Sequence, residues 1–114
     1  MSDILWPYSA LEALNSLKTG TITSLELVQS CLHRIDAREQ AVQAWTTLDR
    51  EYSHKQAWER DQCGSEPGPL QGIPVGIKDI IDTIALPTGY GSPIFEGHWS
   101  LKNAACVDRL IQAD

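Results

Sequence analysis

The sequence contains few cysteines, no long apolar run and no cluster of basic residues. Its three cysteines are odd in number, widely spaced and outside any CxxC pattern: Cys31, Cys63 and Cys106. This usage favours reduced thiols over a disulfide framework. The N-terminus has no basic region ahead of an apolar segment, and no apolar stretch is long enough for a transmembrane helix. We therefore expect a cytoplasmic protein with no signal peptide and no membrane partner.

Acidic residues outnumber basic ones by 15 to 9 in this chain of 114 residues, which gives a formal net charge of −6. The two signs are interleaved, and nucleic-acid binding depends mainly on Lys and Arg that neutralise phosphates. The charge balance therefore argues against a nucleic-acid partner, although it does not exclude one for a larger protein. The apolar and charged fractions, 42% and 21%, are close to the averages for folded domains and do not indicate disorder.

Metal and cofactor sites are not indicated. Asp79 and Asp82 are close in sequence, but two carboxylates without histidine or further acidic ligands are more typical of turn and capping residues. The segment Gly89–Gly91 lacks the lysine of a Walker loop and the spacing of a dinucleotide-binding loop. The histidines share no ligand spacing: His33, His54 and His98. We therefore expect no cofactor and no bound metal.

Two capping boxes predict helix starts in the N-terminal half. Ser9 stands three residues before Glu12, and Thr23 stands three residues before Glu26. In each pair the hydroxyl and the carboxylate can satisfy backbone N–H groups at a helix start. The first helix is predicted to end at Gly20. The second carries an apolar face at helical spacing: Leu25, Val28, Cys31, Leu32 and Ile35.

Two segments are predicted as strands. Over residues 42–48 the positions Val42, Ala44, Thr46 and Leu48 alternate with Gln43, Trp45 and Thr47. Residues 73–77 form a short, branched apolar run with Pro74 at its start. Between them, Asp49 can cap a polar third helix that runs to about Gln62. Helices and strands together indicate the α/β fold class.

A loop rich in glycine and proline, residues 64–69, divides the chain. Residues 1–63 are predicted to form a helical layer with one strand. Residues 70–114 are predicted to hold the second strand, a turn-rich loop and a last helix that Asn103 can cap. A strand, a crossover and a helix are present without the following parallel strand that such a unit needs for its hydrogen bonds. We therefore expect residues 1–114 to be the N-terminal part of a single domain.

Lys78 is the unusual residue of the C-terminal segment. It directly follows the apolar run 73–77, where a charge would be partly desolvated, and open α/β sheets bind ligands outside the carboxyl ends of their strands. Desolvation disfavours the ammonium form, so a neutral amine at this position can act as a base near neutral pH. On position alone, the same lysine also fits a solvated strand terminator.

The residues around Lys78 resemble the amidase signature family. The likeness rests on LQGIPVGIKDIID at residues 70–82, followed by LPT at 86–88, GS at 91–92 and NAACV at 103–107. It extends over residues 70–114 and, less specifically, over the capped helices before them. The resemblance implies an α/β/α scaffold around a large mixed sheet, of which this chain would be the first part. Ile80 and Asn103 depart from the family pattern, which often has asparagine and aspartate there.

The same resemblance implies that Lys78 is the base of a Ser–cis-Ser–Lys triad. The lysine would act through a bridging serine to activate the nucleophilic serine, which attacks an amide carbonyl and forms an acyl-enzyme that water hydrolyses. Asp79 would orient the loop beside the lysine. No segment of the sequence resembles the Gly/Ser-rich loop that carries both serines, and Ser92 does not match the nucleophile. We therefore expect an amidase that acts on linear amides, of which this chain alone is inactive.

Two alternatives stay open. The chain could be a non-catalytic interaction module or remnant of the fold, or it could belong to an amidotransferase-type subunit that acts on charged tRNA. A reading frame that continues into a loop with two correctly spaced serines would separate the enzyme from the remnant. For the complete enzyme we expect a small-molecule amide substrate, and a homo-oligomer remains open.

Overall fold

The computed structural model describes residues 4–114, which form four α-helices and one short 3₁₀ helix. The α-helices are α1 (Ala10–Lys18), α2 (Ser24–Val42), α3 (Arg50–Gln62) and α4 (Ala105–Gln112), and the 3₁₀ helix spans Pro93–Phe95. Two compact units are formed: one by the chain up to Pro74 together with Asp114, the other by Val75–Ala113. Within the described part of the chain, no helix is long and apolar enough to cross a membrane.

The predicted helix starts in the first unit are confirmed. The Ser9 N–H donates to the Glu12 carboxylate at 2.7 Å, and the Thr23 N–H donates to the Glu26 carboxylate at 2.8 Å. Each hydroxyl accepts the return bond from the backbone of its glutamate. These bonds to Ser9, the backbone bond first, lower the pKa of Glu12. The third helix also begins as predicted, because the Asp49 carboxylate accepts from the backbone N–H three residues later at 2.9 Å.

The apolar face predicted for α2 forms the core of the first unit. Val28 and Leu32 are buried, and they pack with Ala57 of α3. The other members of the predicted face are partly buried against the core clusters: Leu25, Cys31 and Ile35. A second cluster joins α1 to α2 through Leu5, Ala13, Leu17 and Leu27. The face is wider than predicted, because Leu27 is buried as well.

A carboxylate from α3 holds the first turn of α2. The two oxygens of Asp61 accept from the backbone N–H groups of Ser24 and Leu25 at 2.8 and 2.9 Å. The Ser24 hydroxyl donates onward to the Gly72 carbonyl at 2.8 Å. Gly72 has a φ of 73°, and a Cβ added there would lie 2.7 Å from the Ser24 hydroxyl oxygen. The approach of this loop to α2 therefore requires glycine.

The strand predicted over residues 42–48 is wrong. Helix α2 continues through Val42, and Gln43 ends it in the left-handed region with a φ of 51°. The Gln43 N–H donates to the Glu39 carbonyl at 2.8 Å, and the Trp45 N–H donates to the Glu39 carboxylate at 2.8 Å. These backbone donors complete a helix end, and a left-handed residue interrupts an extended strand.

The strand predicted over residues 73–77 is not formed either. The segment is irregular, and the Ile73 N–H donates to the Leu70 carbonyl at 3.0 Å in a turn. A β-strand needs a neighbouring strand to accept its hydrogen bonds, and residues 4–114 contain no strand. The mixed sheet that the family resemblance implied is therefore not confirmed by the described residues.

We expect Asp61→Ala to loosen the first turn of α2, because two backbone N–H groups lose their acceptor. A side-chain cap contributes about 1–2 kcal/mol, which corresponds to hydrogen exchange about 5 to 30 times faster in that turn. Exchange of peptides that cover residues 24–28, followed by mass spectrometry, measures the effect. Asp61→Asn retains one carbonyl oxygen and should show a smaller acceleration.

Glu66→Ala is the matched control, since it removes an exposed acidic residue from the loop that follows α3. It should leave exchange in α2 unchanged. Equal acceleration in all three helices of the first unit by Asp61→Ala would contradict a local capping role, because it would indicate general destabilisation.

Candidate functional site

Lys78 lies at the start of a turn in the second unit. The Ile81 N–H donates to the Lys78 carbonyl at 2.9 Å and closes this turn, and the lysine itself is exposed. The predicted partial desolvation of the amine is wrong for the described chain. Residues 73–77 form no buried strand ahead of it, and the side chain of Val75 is 50% exposed.

Asp79 ties this turn to the segment 88–90. Its carboxylate accepts from the Gly89 N–H at 2.8 Å, and its carbonyl accepts from the Tyr90 N–H at 2.9 Å. A Cβ at position 89 would lie 3.1 Å from the second carboxylate oxygen, so the close approach favours glycine. Asp79, the residue that follows Lys78, is therefore held in place through both its side chain and its backbone.

Asp82 makes a second link to the same segment. Its carboxylate accepts a hydrogen bond from the Tyr90 hydroxyl, and its carbonyl accepts from the Ala104 N–H at 2.9 Å. The bond from Tyr90, followed by one from Ser100, lowers the pKa of Asp82. The same bond raises the pKa of Tyr90. Among residues 4–114, no three His, Cys, Asp or Glu side chains are grouped so that they could hold a metal ion.

Two further residues of the family-like pattern, Thr88 and Ser92, make structural contacts in the second unit. The Thr88 side chain is 1% exposed, its N–H donates to the His98 carbonyl at 2.9 Å, and its hydroxyl lies 3.5 Å from the Ile81 carbonyl. Ser92 caps the 3₁₀ helix by accepting from the Ile94 N–H at 3.3 Å. These are structural contacts, so Ser92 acts here as a cap.

The prediction that Asn103 caps the last helix is wrong. Ala104 occupies the cap position of α4 and provides no side-chain bond, because Asn103 lies one residue too early. The Asn103 amide oxygen instead accepts from the Ile84 N–H at 2.8 Å, and its amide nitrogen donates to Asp108 at 3.0 Å. An aspartate at position 103 could not make the second bond, since it would place two carboxylates together.

A cavity of about 260 Å³ lies in the first unit and was not predicted from the sequence. Its polar lining includes Arg60, Asp61, Cys63 and Gln71. The Asp61 carboxylate is already engaged at the start of α2, and the Gln71 amide oxygen is buried without a hydrogen-bond partner. The lining combines two segments that are distant in sequence, residues 17–24 and 60–71, so no local motif could have indicated the cavity.

The three cysteines are free thiols in different surroundings. Partial burial raises the pKa of Cys31. A hydrogen bond with Ser65 lowers the pKa of the exposed Cys63, and the charge of Arg60 contributes less. Cys106 is exposed on α4.

We expect iodoacetamide near neutral pH to alkylate Cys63 faster than Cys31, because the thiolate is the reacting form. Ser65→Ala should slow the reaction of Cys63, since the thiolate loses its hydrogen-bond donor. Peptide mass spectrometry measures all three rates in one sample, and Cys106 is the exposed internal reference. A Cys63 to Cys106 rate ratio that is unchanged by Ser65→Ala would contradict the role of that bond.

Comparison with known proteins supports the family resemblance of the residues around Lys78. The model of the family described as Amidase matches residues 26–114. A glutamyl-tRNA(Gln) amidotransferase subunit of Chloroflexus aurantiacus is 41% identical over 101 residues, which cover 86% of this chain and 21% of that protein. The corresponding subunit of Streptomyces coelicolor is 36% identical over 117 residues, covering 100% of this chain and 23% of the relative. The chain thus spans about a fifth of the length of these relatives.

Two solved structures share the course of the backbone, with TM-scores of 0.85 and 0.84. They are 24% identical to this chain and match 93% of it and 24% of their own chains. Both are described as a vestigial protein complex that reveals the evolutionary origins of an s-triazine catabolic enzyme, and one is bound to an inhibitor. At this identity the likeness concerns the fold alone. The family match over residues 26–114 shows that the chain belongs to the amidase family.

Proposed function

We propose that the protein containing this chain hydrolyses a carboxylic amide bond, with Lys78 as the base of a Ser–cis-Ser–Lys triad. The observation that carries the proposal is an exposed amine on a turn whose next residue, Asp79, is held at both side chain and backbone. Membership of the amidase family supports the same assignment.

In this mechanism the Lys78 amine takes a proton from a bridging serine, which in turn takes the proton of the nucleophilic serine. The activated serine attacks the amide carbonyl, and the C–N bond breaks as the proton taken up by Lys78 passes back through the bridging serine to the leaving amine. Water then hydrolyses the acyl-enzyme. Neither serine has a counterpart in these 114 residues, so the chain supplies only the base. Because Lys78 is exposed here, its desolvation must come from other residues of the complete protein or from bound substrate.

In the complete protein, we expect Lys78→Ala to lower kcat by at least about a hundredfold, the low end for general acid–base catalysis. Lys78→Arg should also be inactive, because a guanidinium group stays protonated and cannot accept a proton. Release of a chromophoric amine from an aryl amide measures both variants, and circular dichroism checks the fold.

Lys18→Ala is the matched control, since it removes an exposed lysine from the end of α1 in the other unit. Its rate should equal that of the unmodified protein. Activity near that rate in Lys78→Ala or Lys78→Arg would show that Lys78 is a solvated surface residue and not the base.

The 114-residue chain alone should not hydrolyse amides, because Lys78 has no serine to activate without the Gly/Ser-rich loop that carries both serines. The same aryl amide assay, with Lys78→Ala of the chain as background, measures this. Turnover above that background would show that the proposed division of the site between this chain and further residues is wrong.

A second candidate is an amidotransferase subunit that acts on charged tRNA. It is favoured by the two relatives from Chloroflexus and Streptomyces, each of which is one subunit of a glutamyl-tRNA(Gln) amidotransferase. This function would give the complete protein other subunits and a tRNA as partners, whereas the first gives it a small amide substrate and leaves a homo-oligomer open. Amide transfer to glutamyl-tRNA(Gln), set against free ammonia release, separates the two. Absence of both activities would favour a non-catalytic remnant.

Free thiols are consistent with the cytoplasmic location that we propose for either enzyme.

A further inference from the structure

Three consecutive residues of one loop are bonded to the turn that carries Lys78. Gly89 and Tyr90 donate their N–H groups to the side chain and the backbone of Asp79, and the Thr88 hydroxyl approaches the Ile81 carbonyl. Tyr90 is the residue that reaches both ends of the turn. Its backbone bonds Asp79 at the beginning, and its hydroxyl bonds the Asp82 carboxylate at the end.

The backbone of Tyr90 adopts a conformation that side chains of this size rarely take. Its φ is 54°, in the left-handed region, which is unfavourable for a residue with a Cβ. Gly91, with a φ of 67°, continues this conformation. The bonds at Asp79 and Asp82 hold Tyr90 in this conformation, and residues held in such strained conformations cluster at functional sites.

The ring of Tyr90 is also held by neighbouring aromatic groups. Phe95 contacts it edge-on with the ring centroids 5.1 Å apart, and His98 lies tilted at 6.0 Å. Phe95 and His98 pack edge-on at 5.8 Å, so the three rings support one another. The hydroxyl therefore has little freedom to leave Asp82. A hydrogen bond from a phenol to an ionised carboxylate is among the stronger neutral-to-charged bonds.

We propose that Tyr90 is a positioning residue for Lys78. Its hydroxyl, by bonding Asp82, fixes the turn 78–82 and with it the direction in which the amine points. Tyr90 does not touch the substrate or the reacting atoms in this role. The inference rests on the proposed function of Lys78 and adds to it the residue that sets the geometry of the base.

Tyr90→Phe in the complete protein removes only the hydroxyl and keeps the ring contacts. We expect kcat for the aryl amide to fall about 10-fold to 100-fold, since a misplacement of about 1 Å can cost a hundredfold. KM and the thermal midpoint should change little. Tyr52→Phe, which removes the hydroxyl of a half-buried tyrosine on α3, is the matched control and should be fully active.

Variants of the acceptor test whether the hydroxyl acts through Asp82. Asp82→Asn keeps an oxygen acceptor and should retain more activity than Asp82→Ala. The double variant Tyr90→Phe with Asp82→Ala should be no slower than the slower single variant, because both remove the same bond. Hydrogen exchange at the Ile81 amide, which donates to the Lys78 carbonyl, should accelerate in Tyr90→Phe, and this reports directly on the turn.

Each outcome decides the proposal. Unchanged kcat in Tyr90→Phe overturns it, and so do multiplicative losses in the double variant or a loss of kcat that merely follows a lower thermal midpoint. Lys78→Ala separates this inference from the proposed function. If Lys78→Ala is inactive and Tyr90→Phe fully active, only the positioning role fails. If Lys78→Ala is active, the base assignment fails and the role of Tyr90 fails with it.

Discussion

The pair of hydrogen bonds from the segment 89–90 to Asp79 is the constraint on which the candidate site depends. The second unit contains one eight-residue α-helix and one turn of 3₁₀ helix, so regular backbone bonding orders little of it. Its buried side chains are Thr83, Thr88 and Val107, of which two are polar. A core of this kind offers little hydrophobic stabilisation, and the position of Lys78 is therefore set mainly by directional polar bonds.

The features that could be predicted from the sequence are those in which the partners lie within one helical turn. Ser9 with Glu12, Thr23 with Glu26, and Asp49 all act on backbone groups three residues away, so local order determines them. The bond that Asp61 accepts from the Ser24 N–H joins residues 37 positions apart, and the bond that Asn103 accepts from the Ile84 N–H joins residues 19 apart. Such contacts arise only after the chain has folded, and residue spacing gives no indication of them.

The failed strand prediction over residues 73–77 and the failed prediction of a desolvated Lys78 have one physical cause, a lack of neighbouring groups. An alternating or apolar run becomes a strand only beside a second strand, and a lysine is desolvated only by neighbours that cover it. Residues 4–114 provide neither for 73–77. The pattern GIPVGIKD was sufficient to indicate the family, because a family is recognised by residue identities. The environment of the Lys78 amine depends on neighbouring groups, and the residue identities of this pattern do not specify those groups.

The carboxylates nearest to Lys78 in sequence both accept hydrogen bonds from the loop 88–90. Asp79 accepts from the Gly89 N–H and Asp82 from the Tyr90 hydroxyl, and no ion pair with Lys78 forms among residues 4–114. Each of the two carboxylates therefore accepts a hydrogen bond from the loop 88–90 and forms no ion pair with the Lys78 amine. The loop 88–90 thus fixes the turn that carries Lys78 at two points, through the Asp79 carboxylate near its beginning and the Asp82 carboxylate at its end.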